Sequence, residues 1–185
     1  GAMLWFGWFG FNAGSALGAG PLAANAVLTT QMSAAIGIVG WVLVERYHRG
    51  KPTVLGAVFG GVSGLVAITP AAGFVTPVAA IPIGFVGAIC CYVAVAVLKS
   101  KFGYDDSLDA FGIHGVGGMW GAIATGLFAT VSVNPDGADG LFYGGNLLIP
   151  QLISLVVAIA LAIIGTTIIF KVVSLFMDMR VSISA

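Results

Sequence analysis

His114 is the residue of this chain best suited to chemistry, because acidic residues precede it and a glycine-rich apolar run follows it. The acids are Asp105, Asp106 and Asp109, and the run covers residues 115–118. An imidazole can donate and accept hydrogen bonds, and it titrates near neutral pH. Inside an apolar membrane segment such a group is costly to keep and marks an ion or proton route by default. The alternative is a core histidine satisfied by a backbone carbonyl, and the residues alone leave both open.

The composition of the 185-residue chain is that of a protein in a lipid bilayer. Hydrophobic residues make up 59% of the sequence and charged residues only 8%, with a mean hydropathy of +1.08, whereas a soluble domain carries about 25% charged residues. The formal net charge is zero, so nothing suggests nucleic acid as a partner. Cys90 and Cys91 are adjacent, which is unsuited to a mutual disulfide and gives no metal-ligand spacing. We predict packing roles for both cysteines, and neither a cofactor nor a metal.

Six apolar segments have the character expected of helices that cross a hydrocarbon core of about 30 Å. They cover residues 2–17, 23–47, 53–69, 76–98, 107–130 and 147–177. Pro21, Pro70 and Pro150 lie where helices would begin or end, positions that proline tolerates. The last segment is longer than the membrane is thick, so we expect it to tilt or protrude. These features predict an all-α integral membrane protein with six transmembrane helices.

Every lysine and arginine falls on one side of the bilayer if the six segments alternate in direction. They lie near the ends of the second, fourth and sixth segments or just after them: Arg46, Arg49, Lys51, Lys99, Lys101, Lys171 and Arg180. The connectors of the other side, residues 70–75 and 134–140, have no basic residue. Because cytoplasmic loops carry an excess of basic residues, we predict a multi-pass protein of the cell membrane with its carboxyl terminus in the cytoplasm.

Glycines recur every four residues in three segments, a spacing that lets transmembrane helices approach closely. The three series are Gly10, Gly14 and Gly18, then Gly56, Gly60 and Gly64, then Gly117 and Gly121. We predict that most of these glycines serve helix packing.

Three motifs give the chain a family resemblance. Residues 5–15, WFGWFGFNAGS, resemble the sixth-helix signature of the ammonium transporter family (Amt/Mep/Rh), on its bacterial Amt side. Residues 105–118, DDSLDAFGIHGVGG, resemble the tenth-helix signature of the same family. Residues 64–73, GLVAITPAAG, are similar to the end of its eighth helix. The resemblance therefore runs from the first residue almost to the last.

The resemblance implies an eleven-helix fold of two inverted five-helix repeats, assembled as a homotrimer with one pore per subunit. Residues 1–130 would then be the second repeat, helices six to ten. Residues 131–185 would be the outer loop, the long final helix and the start of a cytoplasmic tail. We expect a longer subunit, because the first five helices and a partner histidine are absent and Gly1 opens directly in an apolar helix. We also expect this segment not to fold alone, since half of the pore lining would be missing.

Roles along the pore also follow from the resemblance. His114 would be one of two histidines that accept, orient or relay the proton of the permeating ammonium. Phe11 would be the second of two stacked gating rings, and Ser15 would accept a hydrogen bond from ammonium at the outer vestibule. Asn12 and Thr69 would lie near the pore and vestibule, although each could equally hold backbone together.

The remaining polar and aromatic residues have simpler interpretations. The resemblance places Trp8 near the pore as a structural residue. We predict a membrane-packing role for it, as for the aromatic residues around it. Asp106 or Ser107 is expected to cap the helix, and Asp105 to cap it or to lie in the loop. Asp109 could anchor the cytoplasmic pore end, with capping favoured. His48, in a basic loop, is expected to be solvent exposed.

We predict an ammonium or ammonia transporter that works without ATP, since no phosphate-cradling glycine-lysine motif is present. It should not be an enzyme, because no nucleophile and base accompany the histidine. Two alternatives stay open: an ammonium sensor of the same fold that signals without net flux, and a channel for a neutral gas such as ammonia or carbon dioxide. The resemblance further implies a nitrogen-regulatory PII protein that plugs the pore from the cytoplasm, with residues 171–180 and the basic loops as part of its docking surface.

Overall fold

The computed structural model of the chain describes residues 1–179, which form a bundle of helices joined by short connectors. This part of the chain contains six main helices: α1 Ala2–Gly14, α2 Pro21–Arg49, α3 Val54–Ile68, α4 Pro77–Phe102, α5 Val116–Phe128 and α6 Leu148–Ser174. The last turns of α4 include a π-helical stretch, Ala94–Leu98, and a second π turn, Phe111–Gly115, leads directly into α5. A single 3-10 turn, Leu141–Tyr143, lies in the connector before α6.

The all-α prediction is confirmed, and each predicted apolar segment contains a helix. Three helices, α2, α4 and α6, are long and apolar enough to cross a membrane. In contrast, α1 has 13 residues and α3 has 15, so at 1.5 Å per residue they rise only about 20 and 23 Å. The predicted segment 107–130 also begins too early, because Asp109 has a positive φ of 55° and the helical turn starts only at Phe111.

Local sequence accounts for several helix ends. Pro21 and Pro77 occupy the first turns of α2 and α4, where a missing N–H removes no helical hydrogen bond. The Thr53 side chain caps α3 by accepting a hydrogen bond from the backbone N–H of Gly56 at 2.9 Å. Gly50 ends α2 in the left-handed conformation, with φ 79°.

Helices α2, α3 and α4 pack through glycine contacts. A Cβ on Gly37 would lie 2.5 Å from the carbonyl oxygen of Gly60, and a Cβ on Gly64 would collide with the carbonyl oxygen of Ser33. The Ser33 hydroxyl also donates to the carbonyl oxygen of Gly64 at 2.7 Å. The close approach predicted from the glycine series in α3 is therefore confirmed.

The other two glycine series differ from each other. A Cβ on Gly121 would lie 2.5 Å from the carbonyl oxygen of Ala67, so α5 also packs closely on α3. Around Gly10, Gly14 and Gly18, however, a Cβ would meet open space among the described residues. For this first series the packing prediction stays a prediction, because the faces of α1 and its connector that carry these glycines have no neighbour among residues 1–179.

Helix α6 packs on α5 and is exposed along most of its length in the described part of the chain. Its most apolar 18-residue window has no buried residue. At its start, a Cβ on Gly126 would lie 2.7 Å from the Cα of Leu148, so the two helices touch closely there. Its 27 residues rise about 40 Å, more than the thickness of a hydrocarbon core. The prediction of a final helix longer than the membrane is confirmed.

Candidate functional site

His114 lies in the π turn before α5, and its side chain is exposed in a groove between α5 and α6. We call this the His114 groove. It has a volume of about 990 Å³, and its walls are mainly apolar. Residues from both helices line it, among them Phe111, Met119, Ala122, Ser154, Ile159 and Thr167. A π turn is a rare interruption that often coincides with a functional site, so the backbone as well as the side chain singles out this position.

The Trp8 indole covers one side of His114. The two rings are stacked, with centroids 6.1 Å apart and planes inclined by 26°. The indole Nε1–H donates to the Thr69 hydroxyl at 2.7 Å, and that hydroxyl donates to the carbonyl oxygen of Leu65 at 2.7 Å. Packing alone therefore does not describe Trp8, because its ring contacts the histidine and its nitrogen is held by α3.

Phe11 lies about one helical turn beyond Trp8 on α1, and Ser15 is the C-cap residue that follows this helix. The Phe11 ring is 5.7 Å from the Trp8 ring, and the residue is 64% exposed within the described part of the chain. The Ser15 hydroxyl donates to the carbonyl oxygen of Phe11 at 2.7 Å. Because that bond uses the hydroxyl proton, the oxygen keeps its lone pairs to accept a hydrogen bond from a donor such as an ammonium ion.

Four of the predicted site residues meet at a small cavity, which we call the opposite-end cavity because it lies away from the basic residues. It has a volume of about 160 Å³ and is lined among others by Phe11, Asn12, Ser15, Thr69, Phe74 and Asn134. His114 does not line this cavity. Trp8 connects the two places, since it bonds Thr69 and stacks on His114.

Asn12 is buried and joins α1 to α2. Its side-chain amide donates to the Thr30 hydroxyl at 2.9 Å, and that hydroxyl donates to the carbonyl oxygen of Ala26 at 2.6 Å. Only 8% of Asn12 is exposed. Of the two readings that the sequence left open, the contact favours a structural tie between helices.

The acidic residues before His114 have separate partners. The Asp106 carboxylate accepts hydrogen bonds from the backbone N–H groups of Ala110 at 2.8 Å, Phe111 at 3.1 Å and Gly112 at 3.2 Å, so the capping prediction for Asp106 is confirmed. The capping prediction for Asp109 is wrong. Its carboxylate instead pairs with the Lys99 ammonium at 2.7 Å.

A second cavity, which we call the basic-end cavity, has a volume of about 430 Å³. It is lined by the ends of α2 and α4, the start of α3 and the connector before α5, including Glu45, Arg49, Thr53, Tyr92, Lys99 and Asp109. Arg49 and Lys99, which belong to two of the three predicted basic groups, thus both line a cavity at one end of the bundle. Lys171 does not line this cavity, and Arg180 lies outside the described residues.

Glu45 was missed by sequence reasoning, although a lone acid inside an apolar helix is a signal. It is 2% exposed. Its carboxylate accepts hydrogen bonds from the backbone N–H of Thr53 at 3.0 Å and from the Thr53 hydroxyl at 2.9 Å. The Arg49 guanidinium lies 3.9 Å away. Glu45 therefore fastens the end of α2 to the start of α3.

Two smaller predictions concern His48 and the cysteines. His48 is exposed as expected, but it lies in the last turn of α2 and not in a loop, and its Nδ1 shares a hydrogen bond of 2.8 Å with the Tyr92 hydroxyl on α4. Cys90 and Cys91 are free thiols. Cys91 is buried, and its thiol donates to the carbonyl oxygen of Ile113 at 3.5 Å, so it packs against the π turn that carries His114.

Comparison with known proteins agrees with the motifs. The model of the Ammonium Transporter Family matches residues 1–185. An ammonium transporter of Bacillus subtilis is 58% identical over 181 residues, which are 97% of this chain and 45% of that protein.

Solved structures give the same relationship. The crystal structure of Saccharomyces cerevisiae Mep2 superposes with a TM-score of 0.92 at 37% identity, over 99% of this chain and 43% of that one. A sensor Amt protein superposes with a TM-score of 0.85 at 29% identity, over 97% of this chain and 44% of that one. The chain thus spans less than half the length of the relatives it matches. Because the three motifs, the helical fold and a family model that matches residues 1–185 agree, this chain belongs to the ammonium transporter family.

Proposed function

We propose that the full-length protein containing this segment moves ammonium or ammonia across the cell membrane, and that His114 lies on the substrate path. The stacking of Trp8 on His114 in an open, apolar groove carries this proposal. Membership of the family and relatives named ammonium transporters support the substrate. The three long apolar helices support the membrane location.

The path would begin at the opposite-end cavity. There the Ser15 oxygen can accept a hydrogen bond from ammonium, and the exposed Phe11 ring can attract the cation through its quadrupole. Moving a bare cation into an apolar pore carries a large desolvation penalty. The Phe11 ring contacts the Trp8 ring, and the Trp8 ring contacts the His114 imidazole. The imidazole can accept the proton of ammonium or hydrogen-bond to it, so a bare ammonium ion need not cross the apolar pore.

The orientation proposed from charge keeps the basic-end cavity and the carboxyl terminus in the cytoplasm. Residues 1–130 would form the second repeat of the transporter, and residues 131–185 the outer loop, the final helix and the start of the tail. We further propose a homotrimer and a cytoplasmic PII partner on the basic side. The exposed apolar length of α6 and the open glycine series of α1 are surfaces that the rest of such an assembly would cover.

The test uses the full-length protein in proteoliposomes, with currents recorded after ammonium is added. Wild-type protein should give an ammonium-dependent current, and His114→Ala should remove it or abolish the selectivity for ammonium over larger monovalent cations. His48→Ala is the matched histidine control and should keep the current. A His114→Ala protein with unchanged current and selectivity would disprove the role of His114 on the path.

The same vesicles separate the two alternatives. A neutral-gas channel would change the lumenal pH without current. A sensor would bind ammonium with neither current nor pH change, and the similarity to a sensor Amt protein keeps this alternative in the comparison.

A further inference from the structure

The connector that leads into the π turn contains an uncommon backbone conformation. Asp109 has a φ of 55°, a left-handed value that few non-glycine residues adopt and that Asp tolerates better than most. The residue is followed at once by the turn Phe111–Gly115, and the N–H of Ile113 already bonds to the carbonyl oxygen of Asp109 at 3.0 Å. Any group that holds Asp109 therefore also fixes where the π turn begins.

Lys99 is that group. Its ammonium donates to the Asp109 carboxylate at 2.7 Å and to the backbone carbonyl oxygen of Asp106 at 2.5 Å. The Asp106 carboxylate in turn accepts three successive backbone N–H groups, from residues 110–112. One side chain from the end of α4 thus ties together both acids that organise the start of the turn. The side chains of Lys99 and Asp109 are 30% and 15% exposed, so solvent screens the pair only in part.

The register of the π turn decides which way His114 faces. A π turn contains one residue more than the equivalent α-helical turn, and each residue of an α-helix rotates the side-chain direction by about 100°. If the π turn relaxed to α-helix, the side chains before the turn would rotate by about 100° relative to the side chains after it. A Cβ on Gly112 would lie 2.6 Å from Val95 Cγ2 on α4. The π stretches Ala94–Leu98 and Phe111–Gly115 are therefore in close contact next to Lys99.

We infer that Lys99 is a positioning residue for His114: its ammonium, shared by Asp109 and the Asp106 carbonyl, locks the π-turn register that presents the imidazole to Trp8 and the His114 groove. The inference rests on the proposed function only for its effect on transport. The register itself is a separate claim about this chain's own backbone.

The first test measures that backbone. In the full-length protein, hydrogen exchange of residues 109–115 is followed by mass spectrometry for Lys99→Met and for Lys101→Met. Lys101 is the matched control, a lysine on the same turn of α4 whose ammonium lies over the Phe102 ring. Lys99→Met should raise exchange in this peptide by about tenfold or more, as expected when about 1.4 kcal/mol of local stability is lost. Lys101→Met should leave it unchanged, and equal exchange in Lys99→Met and wild type would overturn the inference.

The second test measures transport as a function of pH, normalised to the amount of protein in the vesicles. Lys99→Met should change the shape of the pH profile and the ratio of ammonium to methylammonium current, because His114 is displaced. Lys99→Arg should restore both in part, since a guanidinium can also bond the carboxylate. If current falls uniformly at all pH values with an unchanged substrate ratio, Lys99 acts on stability alone and the inference is wrong.

The two tests together separate this inference from the proposed function. Faster exchange with unchanged transport in both Lys99→Met and His114→Ala would uphold the register lock and reject His114 as part of the path. Unchanged exchange in Lys99→Met together with a lost current in His114→Ala would reject the register lock and keep His114 on the path.

Discussion

Trp8 on α1 lies against His114 in the π turn before α5, with ring centroids 6.1 Å apart, while its indole nitrogen is anchored to Thr69 on α3 at 2.7 Å. The histidine is therefore placed by two distant segments rather than by its own helix alone. Offset aromatic pairs at this separation contribute about 0.5–1.5 kcal/mol beyond their buried area. That is enough to select one orientation of an otherwise exposed imidazole.

The anchor of Trp8 can be removed without removing its ring. Trp8→Phe keeps an aromatic face beside His114 but loses the hydrogen bond to Thr69, worth about 1 kcal/mol. We expect the ammonium current of the full-length protein to fall about fivefold if the anchor stabilises the conducting arrangement. Thr69→Val should give a similar loss, and the double variant should be no worse than either single one. Fully additive losses would show that the two residues act independently.

Ser15 should affect the uptake of substrate more than the later steps. Ser15→Ala removes the oxygen that can accept from ammonium, but leaves the backbone of α1 intact because the lost bond is only to the Phe11 carbonyl. We expect a higher half-saturating ammonium concentration with a maximal current close to that of wild type. Ser174→Ala, an exposed serine near the end of α6 whose hydroxyl donates to the Lys171 carbonyl, is the control. An unchanged half-saturating concentration in Ser15→Ala would contradict the role of Ser15.

The glycine contacts predict a contrast in stability. Gly64→Ala places a methyl group against the Ser33 carbonyl and the Ala34 backbone, where neither helix has room to yield. Overpacking of this kind costs about 1–3 kcal/mol, so the melting temperature of the detergent-solubilised protein should fall. Gly165→Ala, in the exposed α6 with nothing within 4 Å, should leave it unchanged or raise it. Equal melting temperatures in the two variants would argue against close packing of α2 on α3.

Glu45 should matter more for stability than its arginine partner. Glu45→Ala removes two hydrogen bonds that the Thr53 N–H and hydroxyl donate to a carboxylate that is only 2% exposed, at a cost of about 1–3 kcal/mol. Arg49→Ala removes only a long contact of 3.9 Å from a side chain that is 55% exposed, worth at most about 1 kcal/mol. Thermal unfolding of both variants in detergent measures the difference. A larger fall in melting temperature for Arg49→Ala than for Glu45→Ala would contradict the view that the contacts of Glu45 with Thr53 dominate.

Sequence patterns predicted the long apolar helices well, and they predicted less well a helix start that depends on the backbone conformation of a turn. α2, α4 and α6 follow from hydropathy because burial in lipid dominates their energetics. The start of the fifth helix does not, because Asp109 adopts a left-handed backbone that no hydropathy pattern encodes. The Lys99–Asp109 pair was missed for a related reason: a basic residue at a helix end looks like an ordinary topological charge.

The sequence alone determined the class of this protein: the apolar composition requires a membrane helix bundle, and the motifs around Phe11 and His114 identify the family. Only the tertiary structure decided how the site residues meet. Asn12 ties helices together, Trp8 stacks on His114, and Lys99 reaches the turn that carries the histidine. Composition and motifs are properties of one stretch of chain, whereas these contacts join residues up to 106 positions apart, as Trp8 and His114 are. Their partners are chosen by how the helices pack, and that choice depends on all the helices at once.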